Sequence, residues 1–475
     1  MKIQRTVLAA AATLALFSTF GSAQAASDQH RQLVAAQLAS HKPFVDQEFL
    51  VRFKENVPEA ERTALLKRVG VSTTKLVAVR GYAGAKNETH MARGARDMAS
   101  AMSVLNTDSR VEYAEPNWVI KPTAFKLTPA PSTNTRVAPQ ASSNDPYFTT
   151  GYQWNMYGAS TSPASYYGTG AMAAWTAGHT CGTTPVYVGV IDQGVSTTHP
   201  DLQANIWTNA ADRVDGRDGD GNGYIDDYNG YNFLNNNNNV AGSATETHGT
   251  HVAGIIGAVG NNGVGVSGVC WNVRIIPAKF MDATGGTVAN AIRAIDYLTD
   301  LKVKKGIKLV ATNNSWAAGG YSQALYDAIE RARAADILFI AAAGNGGADN
   351  IGDDNDVTPT YPASYTNANI ITVAAIDKTG ARGKFSNYGA KSVHLGAPGV
   401  DILSTIQTAS GFSYGYMSGT SMAAPHVTAA AALYASTHPT ATAAQIKAAI
   451  LSSVRPDAAL QGITTTGGVL DVSKF

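Results

Sequence analysis

The sequence predicts an α/β protein: a mostly parallel sheet flanked by helices, preceded by a small ferredoxin-like α+β domain. Three observations predict it. From about residue 144 to the end, short apolar runs alternate with helical stretches, the pattern of buried parallel strands joined by crossover helices. Between residues 45 and 120, strands and helices alternate closely enough to make a small domain of their own. Between the two, residues 121–143 are rich in Pro, Ser, Thr and Ala, the composition of a linker and a natural place for cleavage. A chain of 475 residues is also too long for one small core.

The elements follow in order. Lys2 and Arg5 give a positive start, Thr6–Phe20 is apolar, and Ala23-Gln24-Ala25 is a small-residue cleavage site, so residues 1–25 read as a signal peptide. The apolar run is shorter than the ~20 residues that span a bilayer, and no later segment is long and apolar enough, so export without a membrane anchor is expected. Phe49–Phe53 alternates as a strand. Pro58–Val69 reads as a helix, with Pro early and Gly70 past its end. Lys75–Tyr82 reads as a strand, Met91–Leu105 as a helix and Val111–Asn117 as a strand. In the large domain, residues 144–475, the strand candidates are Tyr187–Ile191, Arg274–Lys279, Leu309–Asn313, Ile337–Ala343 and Ile370–Ala375. Ala289–Leu298, Tyr321–Ala334 and Ala443–Ser452 are helix candidates.

The net charge of +1 hides an asymmetry. Residues 26–143 hold 16 Lys+Arg and 11 Asp+Glu, net +5, and residues 144–475 hold 18 and 24, net −6. A basic leader and an acidic main domain fit two parts that bind each other, and they argue against nucleic acid as a partner of the acidic part. The two cysteines, Cys181 and Cys270, favour one disulfide over two free thiols in an exported chain. Sequence does not show whether their Cα atoms come close enough.

Three segments carry chemistry. Val188-Gly189-Val190-Ile191-Asp192 is an apolar strand ending in a carboxylate. His248-Gly249-Thr250-His251-Val252-Ala253-Gly254 opens a helix of small residues with a histidine. Gly419-Thr420-Ser421-Met422-Ala423-Ala424-Pro425-His426 sets a serine on the first turn of a buried helix. Taken singly, each has a plain structural role. Asp192 would be a turn residue, Ser421 an N-cap, and His248 with His251 a metal pair, though one lacking the Glu of H-E-x-x-H. His199, His251 and His426 read as structural. Taken together, in the order Asp, His, Ser, the segments resemble the subtilisin-type serine proteases, the subtilases.

The resemblance implies roles. Ser421 is the nucleophile, His248 the general base and then acid, and Asp192 the carboxylate that orients the imidazole. Ile340–Asn345 resembles the subtilase segment whose Asn completes the oxyanion hole, so Asn345 and the Ser421 amide are the expected donors. Ser315-Trp316-Ala317 resembles the edge that pairs with substrate and walls the primary pocket. Ala317 stands where most relatives have Gly. Gly285-Gly286-Thr287 is the plausible opposite edge, and Thr360 is placed at the pocket floor. Together the two edges would hold an extended peptide by main-chain pairing. The domain before the linker resembles inhibitory subtilase propeptides, which makes residues 26–120 the chain's own inhibitor.

Asp218-Gly219-Asp220-Gly221-Asn222-Gly223-Tyr224-Ile225-Asp226-Asp227 offers oxygen at alternate positions with a Gly at the sixth, a calcium-loop pattern similar to loops of many subtilases. Tyr224 falls at the backbone-carbonyl position, Asp215 is a further candidate, and Asp226 or Asp227 would close the shell. Asn229 stands where an EF-hand has its Glu. Asp349, Asp353, Asp354 and Asp356 form a second acidic loop, read as solvated.

Two other classes compete with a secreted, autoprocessed endopeptidase. One is a calcium-stabilised extracellular binding protein with an inactive protease fold. The other is an esterase, because Gly411-Phe412-Ser413-Tyr414-Gly415 matches G-x-S-x-G. That fold needs Ser, then an acid, then His, and after Ser413 no His follows a carboxylate.

Overall fold

The computed structural model describes residues 42–71, 73–76, 88–95, 97–122, 127–131, 142–182 and 184–475, with Gln32, Val34 and Ala36 singly. The expected signal peptide, the Lys75–Tyr82 strand beyond Leu76 and most of the linker lie outside them. The described residues fall into two compact units. The smaller holds residues up to Trp118 together with Gly319–Ala324, and the larger holds Val119–Ala318 and Leu325–Phe475.

The smaller unit runs β1 (Phe44–Phe53), α1 (Glu59–Arg68), β2 (Thr73–Leu76), β3 (Thr89–Arg93), α2 (Met98–Thr107), β4 (Val111–Pro122). This is the ferredoxin-like β-α-β-β-α-β order, with strands β2-β3-β1-β4 all antiparallel. Met98, Ala101, Met102 and Leu105 of α2 are buried, an apolar stripe at helical spacing that faces Phe49, Val51 and Phe53. The expected helix from Met91 is corrected. Met91–Arg93 are strand, paired to both β1 and β2, and the helix starts only after Asp97, whose carboxylate accepts the amide of Ser100. Glu115 of β4, fully buried, accepts the amides of Gln323 and Ala324 at 2.8 and 3.0 Å and the Ser322 hydroxyl at 2.6 Å.

The larger unit is built around a nine-stranded main sheet. In chain order, β5 is Thr128–Pro129, β6 Tyr187–Asp192, β7 Tyr231–Asn232, β8 Arg274–Lys279, β9 Met281–Asp282 and β10 Gly285–Thr287. Then come β11 Leu309–Asn314, β12 Trp316–Ala318, β13 Leu338–Ala342, β14 Ile370–Ile376 and β15 Leu395–Pro398. The last are β16 Ile402–Thr408, β17 Gly411–Met417, β18 Arg455–Pro456 and β19 Gly468–Val469. The main sheet is ordered β18-β19-β15-β14-β13-β11-β6-β8-β7, parallel throughout except for β18. Its principal helices are α3 (His248–Gly257), α4 (Val288–Lys305), α5 (Gln323–Ala334), α6 (Thr420–Thr437) and α7 (Ala443–Ser453).

Strand β6 shows how both faces are covered. Val188 and Val190 join the large core with Val252, Ile255 and Ile256 of α3 and Met422, Val427 and Leu433 of α6. Gly189 points the other way, where a Cβ would stand 2.4 Å from Leu298 of α4. Helix α6 is rich in Ala and buried nearly all round, so it runs through the core rather than over it. Cys181 and Cys270 are joined as the expected disulfide, with Cα atoms 5.3 Å apart. Strands β16 and β17 form an antiparallel hairpin that β5 extends on its β17 side. Gly411–Gly415, the esterase-like pentapeptide, lies along β17 and not on a strand-to-helix elbow.

Candidate active site

Asp192 is the last residue of β6 and His248 the first of α3, both buried. Their close approach depends on Gly249. A Cβ there would lie 2.2 Å from the carbonyl oxygen of Gly194 and 3.1 Å from Cβ of Asp192, so only glycine lets the first turn of α3 sit on the exit of β6. His248 Nδ1 donates to Asp192 Oδ1 at 2.8 Å, and the Gln193 amide donates to the same oxygen at 2.7 Å. Donation through Nδ1 leaves Nε2 as the lone-pair nitrogen of the neutral ring. Nε2 is buried and has no hydrogen-bond partner among the described residues.

Ser421 sits on the first turn of α6, after the extended Gly419. Its Oγ donates to the Ser315 carbonyl at 3.2 Å, and the Ser315 hydroxyl donates to the Ser421 carbonyl at 2.9 Å. The second bond has a cause in the sequence. In a regular helix the amide four residues on would take the Ser421 carbonyl, but that residue is Pro425, which has no N–H. Ser315 is held in turn by Asn313 Nδ2 at 2.9 Å, and Thr428 of α6 donates to Asn313 Oδ1 at 3.0 Å.

Asn345 follows β13 across Gly344, which has φ 109°. The Asn345 side-chain oxygen accepts the Thr420 amide at 3.0 Å and the Thr420 hydroxyl at 2.8 Å, which fixes its carboxamide beside the residue before Ser421. Thr360 lies on the far side of the same turn. It takes a hydrogen bond from Asn387 Nδ2 at 3.2 Å, and its Cγ2 is 3.3 Å from where a Gly344 Cβ would stand.

Within the larger unit, the two expected substrate edges are joined by a strand of the chain itself. Val119 and Ile120 pair antiparallel with Thr287 and Gly286, and Ile120, Lys121 and Pro122 pair antiparallel with Ala318, Ala317 and Trp316. Gly285, at φ 127°, makes room for this approach, since a Cβ would be 2.4 Å from the Ile120 carbonyl. Trp316 contributes its backbone to this edge, while its indole is buried against Phe280 and Phe339.

Residues 183–469 match the family model described as Subtilase family, Peptidase S8, and residues 30–117 match the Fervidolysin N-terminal prodomain. The chain belongs to the subtilase family. It is a subtilisin-like serine protease with a prodomain. The thermophilic serine proteinase of Bacillus sp. strain AK1 is 33% identical over 396 residues, 83% of this chain and 79% of that protein. The extracellular basic protease of Dichelobacter nodosus is 32% identical over 62% of this chain, which spans about half of that relative, 48%. Fervidolysin from Fervidobacterium pennivorans, described as a keratinolytic enzyme related to subtilisin, shares the fold. Its TM-score is 0.65 at 22% identity, over 91% of this chain and 61% of fervidolysin.

Sequence reasoning about this subtilase passed over Lys279, at the end of β8. Its side chain is buried, paired with Glu246 at 3.2 Å and bonded to the carbonyls of Gln193 and Met281. It therefore ties the residue after Asp192 to the segment just before His248. The signal was a cation closing the apolar run 275–278, which must be paired if buried. His251 and His426 are structural, as expected. His251 bonds the carbonyls of Ile402 and Gly415, and burial pushes it down to about 3. His426 bonds Asn155 and the Met422 carbonyl, and burial pushes it down to about 4.

The acidic loop of this subtilase is only partly arranged as a calcium shell. Asp218 and Asp220 converge, each giving one oxygen to the Asn222 amide at 3.0 Å. Asp215 and Asp226 close a turn of their own, Asp226 accepting the amides of Asp215 and Gly216. Asp227 is buried among Asn209, Asn222 and Tyr297, and burial pushes its carboxyl up to about 6. Asp212, which the sequence did not single out, accepts the amides of Gly219 and Asp227 and so holds both ends of the loop. Among the described residues no three acidic, His or Cys side chains converge as a metal shell. The carboxylate and amide oxygens of Asp218, Asp220 and Asn222 are of the right chemistry for calcium. No helix among the described residues is long and apolar enough to cross a membrane.

Proposed function

We propose that this subtilase is a secreted endopeptidase that cuts peptide bonds through an acyl-enzyme on Ser421 and matures by its own cleavage. The observation that carries the proposal is the Asp192–His248 pair. Asp192 holds Nδ1 at 2.8 Å while Nε2 is left buried and unpartnered, which is the state a general base needs before it takes a serine proton. In the proposed reaction His248 accepts the Ser421 proton as Oγ attacks the substrate carbonyl. The oxyanion is met by the Ser421 amide and Asn345 Nδ2. The proton is then given to the leaving amine, and water repeats the sequence to free the acid. The glycine edge Gly285-Gly286 and the edge Ser315-Trp316-Ala317 would hold the peptide extended, with Thr360 near the pocket floor.

Residues 1–25 are proposed as the export signal, residues 26–120 as the propeptide that folds and inhibits the enzyme, residues 121–143 as the linker that is cut, and residues 144–475 as the catalytic domain. Support for export comes from the disulfide and from a relative named as extracellular. Calcium is proposed at Asp218, Asp220 and Asn222 with the Tyr224 carbonyl, where it would stiffen the loop. The proposed partners are peptide substrates and the propeptide, with neither nucleic acid nor membrane. An inactive binding protein is disfavoured by the family assignment and by the Asp192–His248 bond.

The test compares the precursor with its Ser421→Ala variant, by intact mass and by hydrolysis of casein. The expected result is a wild type that shortens and degrades casein and a variant that does neither. Equal casein turnover by the two forms would remove Ser421 from the mechanism.

A further inference from the structure

We propose that the strand Leu127–Pro131 is a permanent part of the mature enzyme, so that processing falls on the N-terminal side of Leu127 and not near Asn144. The inference rests on the autoprocessing proposed above and deepens it.

Four observations lead there. First, the segment is docked. Thr128 and Pro129 pair with Tyr416 and Gly415 of β17, and the Ala130 amide donates to the Tyr414 carbonyl at 3.0 Å. Leu127 packs on the main core, and Gly415 makes room for it, since a Cβ there would lie 2.7 Å from a Leu127 methyl. Ala130 packs with Ala258, Val266 and Leu403 and the rings of Tyr147, Tyr152, Tyr414 and Tyr416.

Second, the segment finishes a sheet. Strand β17 leads through Ser418 and Gly419 into the helix of Ser421. Without β5 its outer edge would be bare, whereas Pro129 and Pro131 lack the N–H that would let pairing continue outward.

Third, the ground around Asn144 is poor for a cut. Ser143 is 2% exposed, and its hydroxyl bonds Asp145 at 2.7 Å and Ser267 at 2.8 Å. Asp145, fully buried, also gathers the amides of Asn261, Asn262 and Gly263. A protease would have to unravel this knot to reach the backbone at Ser143 and Asp145.

Fourth, the stretch that lies between the edges Gly285–Thr287 and Trp316–Ala318, Val119–Pro122, precedes Leu127. The cleavage is the hydrolysis already proposed. One C–N bond breaks and one water is consumed, leaving a carboxylate on the released propeptide and an ammonium on the enzyme.

The experiment is intact-mass and N-terminal analysis of mature wild type and Leu127→Asp, with hydrogen exchange on the Ser421→Ala precursor with and without Leu127→Asp. The expected wild-type chain begins at or before Leu127, and Leu127→Asp is trimmed beyond Pro131. A wild type that degrades casein but begins after Pro131 overturns this inference and leaves the proposed function standing, as does a Leu127→Asp chain with an unchanged start. A precursor that is never cut and leaves casein intact defeats the proposed function instead, and exchange then decides the docking. Peptides covering 127–131 and 411–417 should exchange about ten-fold more slowly without the Asp than with it, and equal rates overturn the docking.

Discussion

Asn345 is oriented through its oxygen. Thr420 donates to that oxygen twice, so the carboxamide turns its nitrogen, the oxyanion donor of the proposed reaction, away from Thr420. Asn345→Ala is expected to lower kcat by about 10²–10³-fold with little change in KM, the loss seen when subtilisin, a member of the same family, is stripped of its own oxyanion-hole Asn. Steady-state kinetics on a peptide substrate checks it, and a loss confined to KM would mean that Asn345 only binds. Ser421, His248, Asp192 and Asn345 could all be picked out in the sequence because each ends a recognisable strand or opens a recognisable helix. Lys279 was marked only by its place at the end of an apolar run, and Asp212 only by burial and by amide partners that the folded loop brings to it.

At the scale of elements, the meeting of α3 with β6 turns on one missing methyl. Gly249→Ala should cost about 1–3 kcal/mol, the usual range for overpacking a dense contact. It should reduce turnover more than stability, because the shift falls on His248. Thermal melts alongside casein assays check this, and wild-type turnover would show that α3 can move without harm. The Asp218–Asp227 loop makes a second prediction. Chelation should lower the melting temperature of the Ser421→Ala protein, and Asp218→Asn with Asp220→Asn should abolish that response. An unchanged melt on chelation would remove calcium from the proposal. Strands such as β6, β8 and β14 were legible because they are runs of buried Val, Ile and Ala. Strands β10 and β12, three residues each, were legible only as edges through the family resemblance, and β5, two residues long, was not legible at all, because it exists only through the strand it pairs with. The β16–β17 hairpin escaped notice because its Ser, Thr, Tyr and Gly lack an apolar run.

Over the whole molecule, stability should depend on pH through Asp201. Burial pushes its carboxyl up to about 7, although the Val266 amide and Asn262 both bond it. The unfolded carboxyl ionises near 4. Between about pH 4 and pH 7 the folded state therefore holds the extra proton, and stability falls as pH rises through that window and levels above it. Asp201→Asn lacks this loss, so its stability relative to the parent should improve from about pH 4.5 to about pH 7.5. Melts of both forms in the Ser421→Ala background test it, and a pH-independent difference would falsify the assignment.

The Cys181–Cys270 bond, 89 residues apart, should be worth about 4–5 kcal/mol on a chain-entropy model. Its position has a topological consequence. Asp192 and His248 both lie inside the covalent ring that the bond closes, and Ser421 lies outside it. In an unfolded but oxidised chain Asp192 and His248 are already tethered to each other, so assembling the proposed triad is a search by two bodies and not three. Oxidised Ser421→Ala protein should accordingly refold faster than its Cys181→Ser, Cys270→Ser counterpart. Equal refolding rates would mean that the rate-limiting encounter lies elsewhere, for example in the docking of α6 against the middle strands of the main sheet.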